Sequence, residues 1–534
     1  MVIEKVLAGF SATGTTLKVL GTAGVIRPHH PLALARAGKA LRDWGTGPAG
    51  GFTAMATLDP HRIGLVDELG SLTFDEMHRR SNALARALAD LGVGADGSVA
   101  LMCRNHRGFV EASIATAKLG ADILYLNTAF AGPQLVDVLE REAPTVVVHD
   151  EEFTAMLAKA DVGTAVLGWT DSETDEPTLE SLIASQPDGD VEPAGRHGRI
   201  VILTSGTTGT PKGAPRSEAG IEAAVSLLSR MPLKYGWRTH IAAPLFHTWG
   251  FAHLALSMLL GSTVVLKRKF DPEGCLAVTR DERCDSLVVI PVMLQRIMAL
   301  PEKTLTSYDL TRVKVVASSG SALPGDLAID WMDHFGDNLY NIYGSTEVAY
   351  ASIATPVDLR AAPSAAGKPP YATIVKILDP DGHEVPAGET GRIFVGNGLL
   401  FEGYTGGGHK EVVDGLMSTG DVGRFDDDGR LHVEGRDDEM IVSGGENVFP
   451  KEVEDTLMRH PAVVEVAAVG VDDPDFGKRL RAYVVVNTDV SEDELKAHVK
   501  DNLARFKVPR EVVFLDELPR NATGKVLKRE LSQD

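Results

Sequence analysis

Ten consecutive residues, Thr204-Ser205-Gly206-Thr207-Thr208-Gly209-Thr210-Pro211-Lys212-Gly213, have the composition of an anion-binding loop. They follow the apolar run Ile200 to Leu203, which reads as a short buried strand. Glycines at 206, 209 and 213 permit tight turns, so successive N–H groups can converge on one anion. The hydroxyls of Thr204, Ser205, Thr207 and Thr208 add donors, Lys212 adds a point charge, and no carboxylate interrupts the run. Pro211 and Gly213 stand where a Walker loop would need Gly and Ser or Thr, so this is a different polyphosphate loop.

Five later segments make chemical sense beside it. Ser318-Ser319-Gly320-Ser321-Ala322 ends a strand in small residues, as a backbone approaching a flat ring requires. Asn341-Ile342-Tyr343-Gly344-Ser345-Thr346-Glu347 packs an aromatic for stacking, hydroxyls, and one hard-oxygen carboxylate suited to Mg²⁺ into seven positions. Ser418-Thr419-Gly420-Asp421 offers a carboxylate on a tight turn, suited to both hydroxyls of a ribose. Gly435-Arg436-Asp437-Asp438-Glu439 sets an arginine before three acids, and Asn521-Ala522-Thr523-Gly524-Lys525 brings a lysine near the C-terminus. Each has a plainer reading alone: a flexible turn, a solvated acid, or surface decoration.

In this order the segments closely resemble the adenylate-forming superfamily, which includes acyl-CoA synthetases, luciferases and peptide-synthetase adenylation domains. The resemblance spans roughly residues 52 to 530 and rests on TSGTTGTPKG, YGSTE, STGD, GRDDEMIVSGGENVFP and NATGK. It implies an α/β protein with a large N-terminal domain of two α/β subdomains plus a small β-barrel, and a small mobile α+β C-terminal domain. It implies ATP, Mg²⁺ and coenzyme A, with an acyl-adenylate formed first and a thioester second. On this resemblance Thr204 to Lys212 grip the phosphates, and Thr204 and Glu347 hold Mg²⁺. Gly320, Ser321, Asn341, Tyr343, Gly344, Ser345 and Thr346 border the adenine, Asp421 and Arg436 meet the ribose, and Lys525 bridges carboxylate and α-phosphate. Asp438 is the implied hinge, and Ser443, Gly444, Gly445, Lys478, Arg479 and Lys507 match positions near coenzyme A.

Pro244-Leu245-Phe246-His247-Thr248-Trp249-Gly250 stands where amino-acid-activating relatives place an aspartate. His247 there disfavours an α-amino acid and, by resemblance, gates the carboxylate and thiol channels; a buried core histidine is its plainer reading. Phe246, Trp249 and Phe251 line an acyl tunnel or belong to the core. A medium- or long-chain fatty acid is expected. The alternatives are transfer to a separate carrier protein, a coumarate-like aromatic acid, and a nucleotide-binding relative without turnover. Glu439, where relatives often have Asp, keeps the charge; Leu416 replaces an aromatic common before the ribose aspartate.

The chain around these residues has 534 positions, 44% of them hydrophobic, enough for at least two domains. A net charge of -21 argues against nucleic acid as a partner. Three cysteines (Cys103, Cys275, Cys284) without metal spacing suggest buried thiols in a reducing cytosol. No secretory leader or membrane span is expected. From about residue 52, strand and helix patterns alternate as βαβ units with parallel sheets. Asp-Gly turns between 374 and 435 suggest a small antiparallel barrel, and beyond 438 a compact α+β unit follows. The expected divisions are 1–50, 51–437 and 438–534.

The first fifty residues hold six bases against two acids. From Pro31 to Trp44, Leu34, Ala37, Leu41 and Trp44 share a helical face, and Gly45 to Gly51 reads as a linker. This segment is expected to dock on its own protein or peripherally on an inner membrane surface, and to be dispensable for adenylation. A homodimer is compatible with the sequence.

Overall fold

The computed structural model describes residues 14–130, 132–160, 162–204, 212–216, 221–345, 347–401, 410–437, 439, 441–443, 446–473, 477–504, 507–521 and 524–531. Two large sheets carry the N-terminal domain. The six-stranded sheet runs, in spatial order, Thr164–Trp169, Val146–Asp150, Ser98–Met102, Asp122–Tyr125, Ile200–Thr204 and Lys212–Arg216, parallel except for the last pair. The eight-stranded sheet runs Ser352–Ala354, Leu339–Tyr343, Val315–Ser318, Ser286–Val289, Arg238–Ile241, Thr263–Val265, Ile63–Asp67 and Gly70–Thr73, with antiparallel pairs at both edges. Central strands such as Val146–Asp150 and Val315–Ser318 are buried at every residue, because helices cover both faces. Thr204 and Lys212, which flank the expected anion-binding stretch, lie opposite each other in the antiparallel pair at one edge.

Between Ile374 and Arg436 lies the expected antiparallel unit. Leu416–Phe425 pairs with Gly391–Gly396 along one side, and with Val412–Val413 and then Leu431–Arg436 along the other. Ile374–Leu378 extends it to five strands; the pairings among described residues make a sheet and do not close a barrel. The small domain sets helices Pro450–Leu457 and Glu492–Asn502 against a five-stranded sheet containing the long hairpin Val463–Asp473 and Gly477–Val486. Val453, Leu457, Ala468, Leu480, Val484, Leu495 and Val499 form its separate core.

The N-terminal segment departs from the sequence reading. A helix does span Pro31–Trp44, but the buried residues are Ala37 and Ala40, while Leu34 and Leu41 are exposed. Small alanines let this helix approach the next one closely, and the bulkier leucines fall to its shoulder. Gly45 to Gly51 is not a linker: a helix begins at Pro48 and runs to Leu58, crossing the expected boundary at residue 50. Proline at the first helical turn starts this helix, and Gly50 is needed because a Cβ there would sit 1.9 Å from the Gly45 carbonyl oxygen. The helix packs against Thr248–Leu259, where a Cβ on Gly51 would meet Met258. Among the described residues, no helix is long and apolar enough to cross a membrane.

The three cysteines are buried and unpaired, as expected. His240 and His253 are each 1% exposed, and burial lowers both imidazoles to about 4. An unfolded chain would titrate them near 6.5. Between these values the unfolded state binds more protons, so stability should fall as pH drops from 6.5 toward 4. Thermal midpoints measured across that range should decline, and His253→Gln should flatten the decline. A midpoint that stays level below pH 6.5 would contradict this assignment.

Candidate active site

Ser318, Asn341, Tyr343, Asp421, Arg436 and Lys525 converge near the carboxyl ends of two strands of the eight-stranded sheet, where the small domain meets it. Val315–Ser318 and Leu339–Tyr343 lie side by side in parallel, with Ser318 opposite Asn341. Both are buried, and Ser318 Oγ and Asn341 Oδ1 have no hydrogen-bond partner among the described residues. Two unspent polar atoms at one sheet end suit the polar edge of a purine base. Gly320 follows with φ 104°, Ser321 lies beside it, and the Ser319 hydroxyl holds this turn by donating to the Ile342 carbonyl at 2.9 Å.

Tyr343 ends its strand and donates its hydroxyl to Asp421 Oδ2 at 2.5 Å. Asp421 comes from the strand Leu416–Phe425, seventy-eight residues on, and also meets Arg436 Nη1 at 3.3 Å. Gly420 precedes it with φ 77°; a Cβ there would lie 3.2 Å from the Arg436 guanidinium, so glycine lets that arginine cross the backbone. Thr419 braces the turn, receiving the Asp421 N–H and donating to the Ile393 carbonyl. Burial raises the Asp421 carboxyl above its ordinary value, and the Tyr343 hydroxyl, Arg436 and Lys525 act against that rise. Glu347 stands on the turn after Tyr343, where the Glu347 and Val348 amides donate to Ser345 Oγ at 3.3 and 3.4 Å.

Lys525 reaches this cleft from the small domain. Its turn is internally braced: the Gly524 N–H donates to the Asn521 carbonyl, and the Lys525 N–H to Asn521 Oδ1, each at 2.9 Å. Gly524 packs so closely on the large domain that a Cβ would lie 2.4 Å from Val292 Cγ1 and 3.4 Å from Ile290 Cδ1. Gln295 secures the same face by donating to the Val464 carbonyl at 3.1 Å. The lysine therefore lies close enough to Asp421 to favour that carboxylate's charged form.

On the acid side, His247 is partly buried at the start of helix Thr248–Leu259, and desolvation lowers its imidazole to about 4. Phe246 and Trp249 are buried beside it, and the Trp249 indole donates to the Val289 carbonyl at 3.0 Å. Phe251 differs from its partners: it leans on Tyr125 with ring centroids 5.3 Å apart, joined to the core between the sheets. Successive helical residues point 100° apart, which carries Phe251 away from the Trp249 face.

Asn105 escaped the sequence reading. Its amide donates to the Ile241 and Ala243 carbonyls at 3.1 and 2.9 Å, and its oxygen accepts the Leu245 N–H at 2.9 Å. It thus sets the backbone that delivers Phe246 and His247. Its neighbours are anchored too, His106 to Asp150 at 2.8 Å and the Arg107 amide to Asp67 at 2.9 Å. The available signal was a polar run, Cys103 to Arg107, directly after the strand Ser98–Met102. Asn105→Ala leaves three buried backbone groups unpaired and should cost about 3 kcal/mol, at 1–3 kcal/mol per group with partial relaxation. It should lower the thermal midpoint and raise the KM for the acid more than that for ATP; an unchanged midpoint would refute the brace.

The coenzyme A positions are differently placed. Lys507 is paired with Glu452 inside the small domain, Arg479 lies 3.7 Å from Asp473, and Lys478 is exposed. Ser205, Gly206, Thr207, Thr208, Gly209, Thr346, Asp438, Gly444 and Gly445 lie outside the described residues, while Lys212 and Ser443 are placed by strand pairing alone.

Comparison with known proteins fits this geometry. Residues 52–405 match the model of the AMP-binding enzyme family, and residues 452–525 match the AMP-binding enzyme C-terminal domain. The chain belongs to the AMP-binding enzyme family. It is 34% identical over 494 residues to the feruloyl-CoA synthase of an Amycolatopsis species, covering 89% of this chain and 96% of the relative. It is 29% identical to the long-chain-fatty-acid–CoA ligase FadD13 of Mycobacterium tuberculosis, covering 86% and 93%. The o-succinylbenzoate coenzyme A synthetase of Bacillus subtilis, solved with ATP and magnesium, superimposes with a TM-score of 0.79 at 28% identity over 90% of this chain and 98% of that one. The protein is an AMP-forming acid–thiol ligase, an acyl-CoA synthetase that uses ATP, Mg²⁺ and coenzyme A.

Proposed function

We propose that the acid is a medium- or long-chain fatty acid. One observation carries this reading: the helix behind the gate, Thr248–Leu259, contains no charged residue, and its one titratable group, His253, is held neutral by burial. An acid whose carboxylate lies near His247 must therefore place an uncharged body against Phe246, Trp249 and the helix, because a buried charge would lack a partner. The similarity to FadD13 supports the same class.

Within the site, Asp421 and Arg436 would hold the ribose, Ser318, Gly320 and Asn341 the base, and Thr204 to Lys212 the leaving pyrophosphate. The Glu347 carboxylate is the hard oxygen donor that Mg²⁺ requires, with the Thr204 hydroxyl as its expected companion; the ion neutralises phosphate charge. Two anions must meet for the first step, carboxylate and α-phosphate. Lys525 would lie between them and stabilise the charge that builds on the phosphorus oxygens. With His247 neutral, the gate presents no competing charge to the carboxylate. The second step then requires the small domain to leave this position, pivoting near Asp438, because Lys525 occupies the cleft.

An aromatic acid is the second reading, favoured by the similarity to feruloyl-CoA synthase and by His253. The His253 ring stands edge-on to Trp249, centroids 4.2 Å apart, and its buried Nε2 has no hydrogen-bond partner among the described residues. A polar ring substituent would supply one. Pyrophosphate release measured with coenzyme A across saturated fatty acids, ferulate, coumarate and indoleacetate separates the readings. Highest kcat/KM on a fatty acid is expected. Preference for ferulate or coumarate would establish the second reading, and adenylate without acyl-CoA would point to a carrier-protein acceptor.

A further inference from the structure

The outer face of residues 14–44 has features that the ligase reaction does not use. Leu17, Ile26, Leu32, Leu34 and Leu41 are 39% to 63% exposed there, although the chain has an ample core to bury them. The same residues carry five bases and one acid, a net charge of +4 in a chain whose net charge is -21. The single acid, Asp43, is held by Lys39 and Arg42, so it does not face outward alone. On the helix Pro31–Trp44, Ala37 and Ala40 are buried, Leu34 and Leu41 are exposed on its shoulder, and Arg36, Lys39 and Arg42 are exposed as well.

This face is held firmly from behind. Arg27 is ion-paired with Asp59 and stacks on the Tyr235 ring, 3.3 Å from its centroid. The Tyr235 N–H donates to the Ala23 carbonyl, and the Lys234 ammonium to the Thr22 carbonyl, both at 2.7 Å. The apolar side chains are thus presented on a fixed platform, and through Pro48–Leu58 that platform rests on the helix Thr248–Leu259.

We propose that residues 14–44 dock on the surface of an anionic lipid bilayer. Leucines flanked by lysine and arginine satisfy both layers of such a surface, acyl chains below and phosphates above. A second copy meeting this face with its own would set like charge on like charge. The acidic body elsewhere would be repelled by the same lipids, which fixes the orientation with residues 14–44 toward the membrane. The inference does not depend on the identity of the acid, since lipid binding is read without turnover.

The test is flotation of the full chain with phosphatidylcholine vesicles, with and without phosphatidylglycerol. The wild type should float with the anionic vesicles at least about ten-fold more than with neutral ones. Leu34→Ser/Leu41→Ser should lower partitioning about ten-fold, and Arg36→Gln/Lys39→Gln/Arg42→Gln about a hundred-fold. Both variants alter exposed side chains and should keep ligase activity on a water-soluble acid, which shows that they fold. No flotation of the wild type would overturn the proposal, as would equal flotation of wild type and variants. So would a leucine variant that changes its mass in solution without changing flotation, because the face would then hold a second copy.

Discussion

Replacing Lys525 with alanine is expected to slow acyl-adenylate formation by about a hundred- to a thousand-fold, while thioester formation from pre-made acyl-adenylate stays near the wild-type rate. The reason is position. Lys525 is held by its own turn beside Asp421, in a small domain pressed onto Ile290 and Val292. Its charge matters most when carboxylate and phosphate meet, a moment at which about 3–4 kcal/mol rests on one well-placed cation. ATP binding should change far less, because Asp421, Arg436 and the loop after Thr204 remain. Two single-turnover assays check this, one starting from fatty acid and ATP, the other from acyl-adenylate and coenzyme A. Equal loss in both would contradict a small domain that alternates between the two steps.

Asp421→Asn should raise the KM for ATP by about a hundred-fold with a smaller change in kcat. The carboxylate accepts from Tyr343, faces Arg436, and lies within the field of Lys525. An amide keeps the shape but loses the charge, so the Arg436 guanidinium loses this carboxylate and keeps its contact with the Thr419 carbonyl. Breaking one side of such a pair costs about 3–5 kcal/mol when fully buried, and less here because Arg436 retains part of its exposure. Nucleotide titration followed by calorimetry reads the effect directly. A weakened acid KM with normal ATP binding would move Asp421 out of the ribose site.

Much of this arrangement is legible in the amino-acid sequence. The alternation of apolar runs and amphipathic segments predicts parallel sheets because strands buried on both faces leave continuous Val, Ile and Leu runs. Tyr343, Asp421, Arg436 and Lys525 can each be picked out by residue type, and the structure brings these four together. Their pairings are another matter. The Tyr343 hydroxyl reaching Asp421 is a contact across seventy-eight positions, which no local pattern encodes.

The misreadings have physical causes. Gly45 to Gly51 carries linker composition, yet Gly50 serves close backbone approach and Pro48 starts a helix. Leu34 and Leu41 lie on the periodic face, but alanines determine how closely that helix packs, so the leucines remain outside. For Phe251 the sequence left tunnel and core both open; its ring turns to Tyr125 at the core, because two steps along a helix reverse its direction from Trp249. Asn105 went unread because its work is to hold backbone groups more than 130 positions away.

The most direct test of the account locks the small domain where it stands. A Cβ built on Gly524 lies 3.2 Å from Val292 Cβ, close to the separation a disulfide spans. The three native cysteines are buried and unpaired, so Val292→Cys/Gly524→Cys adds the one pair placed to bridge the domains. Oxidised, this variant should release one equivalent of pyrophosphate with fatty acid and ATP, hold the acyl-adenylate, and make acyl-CoA only after reduction. Acyl-CoA formed at the wild-type rate while the bridge is intact would contradict the account, because the second step would then proceed with Lys525 still in the cleft.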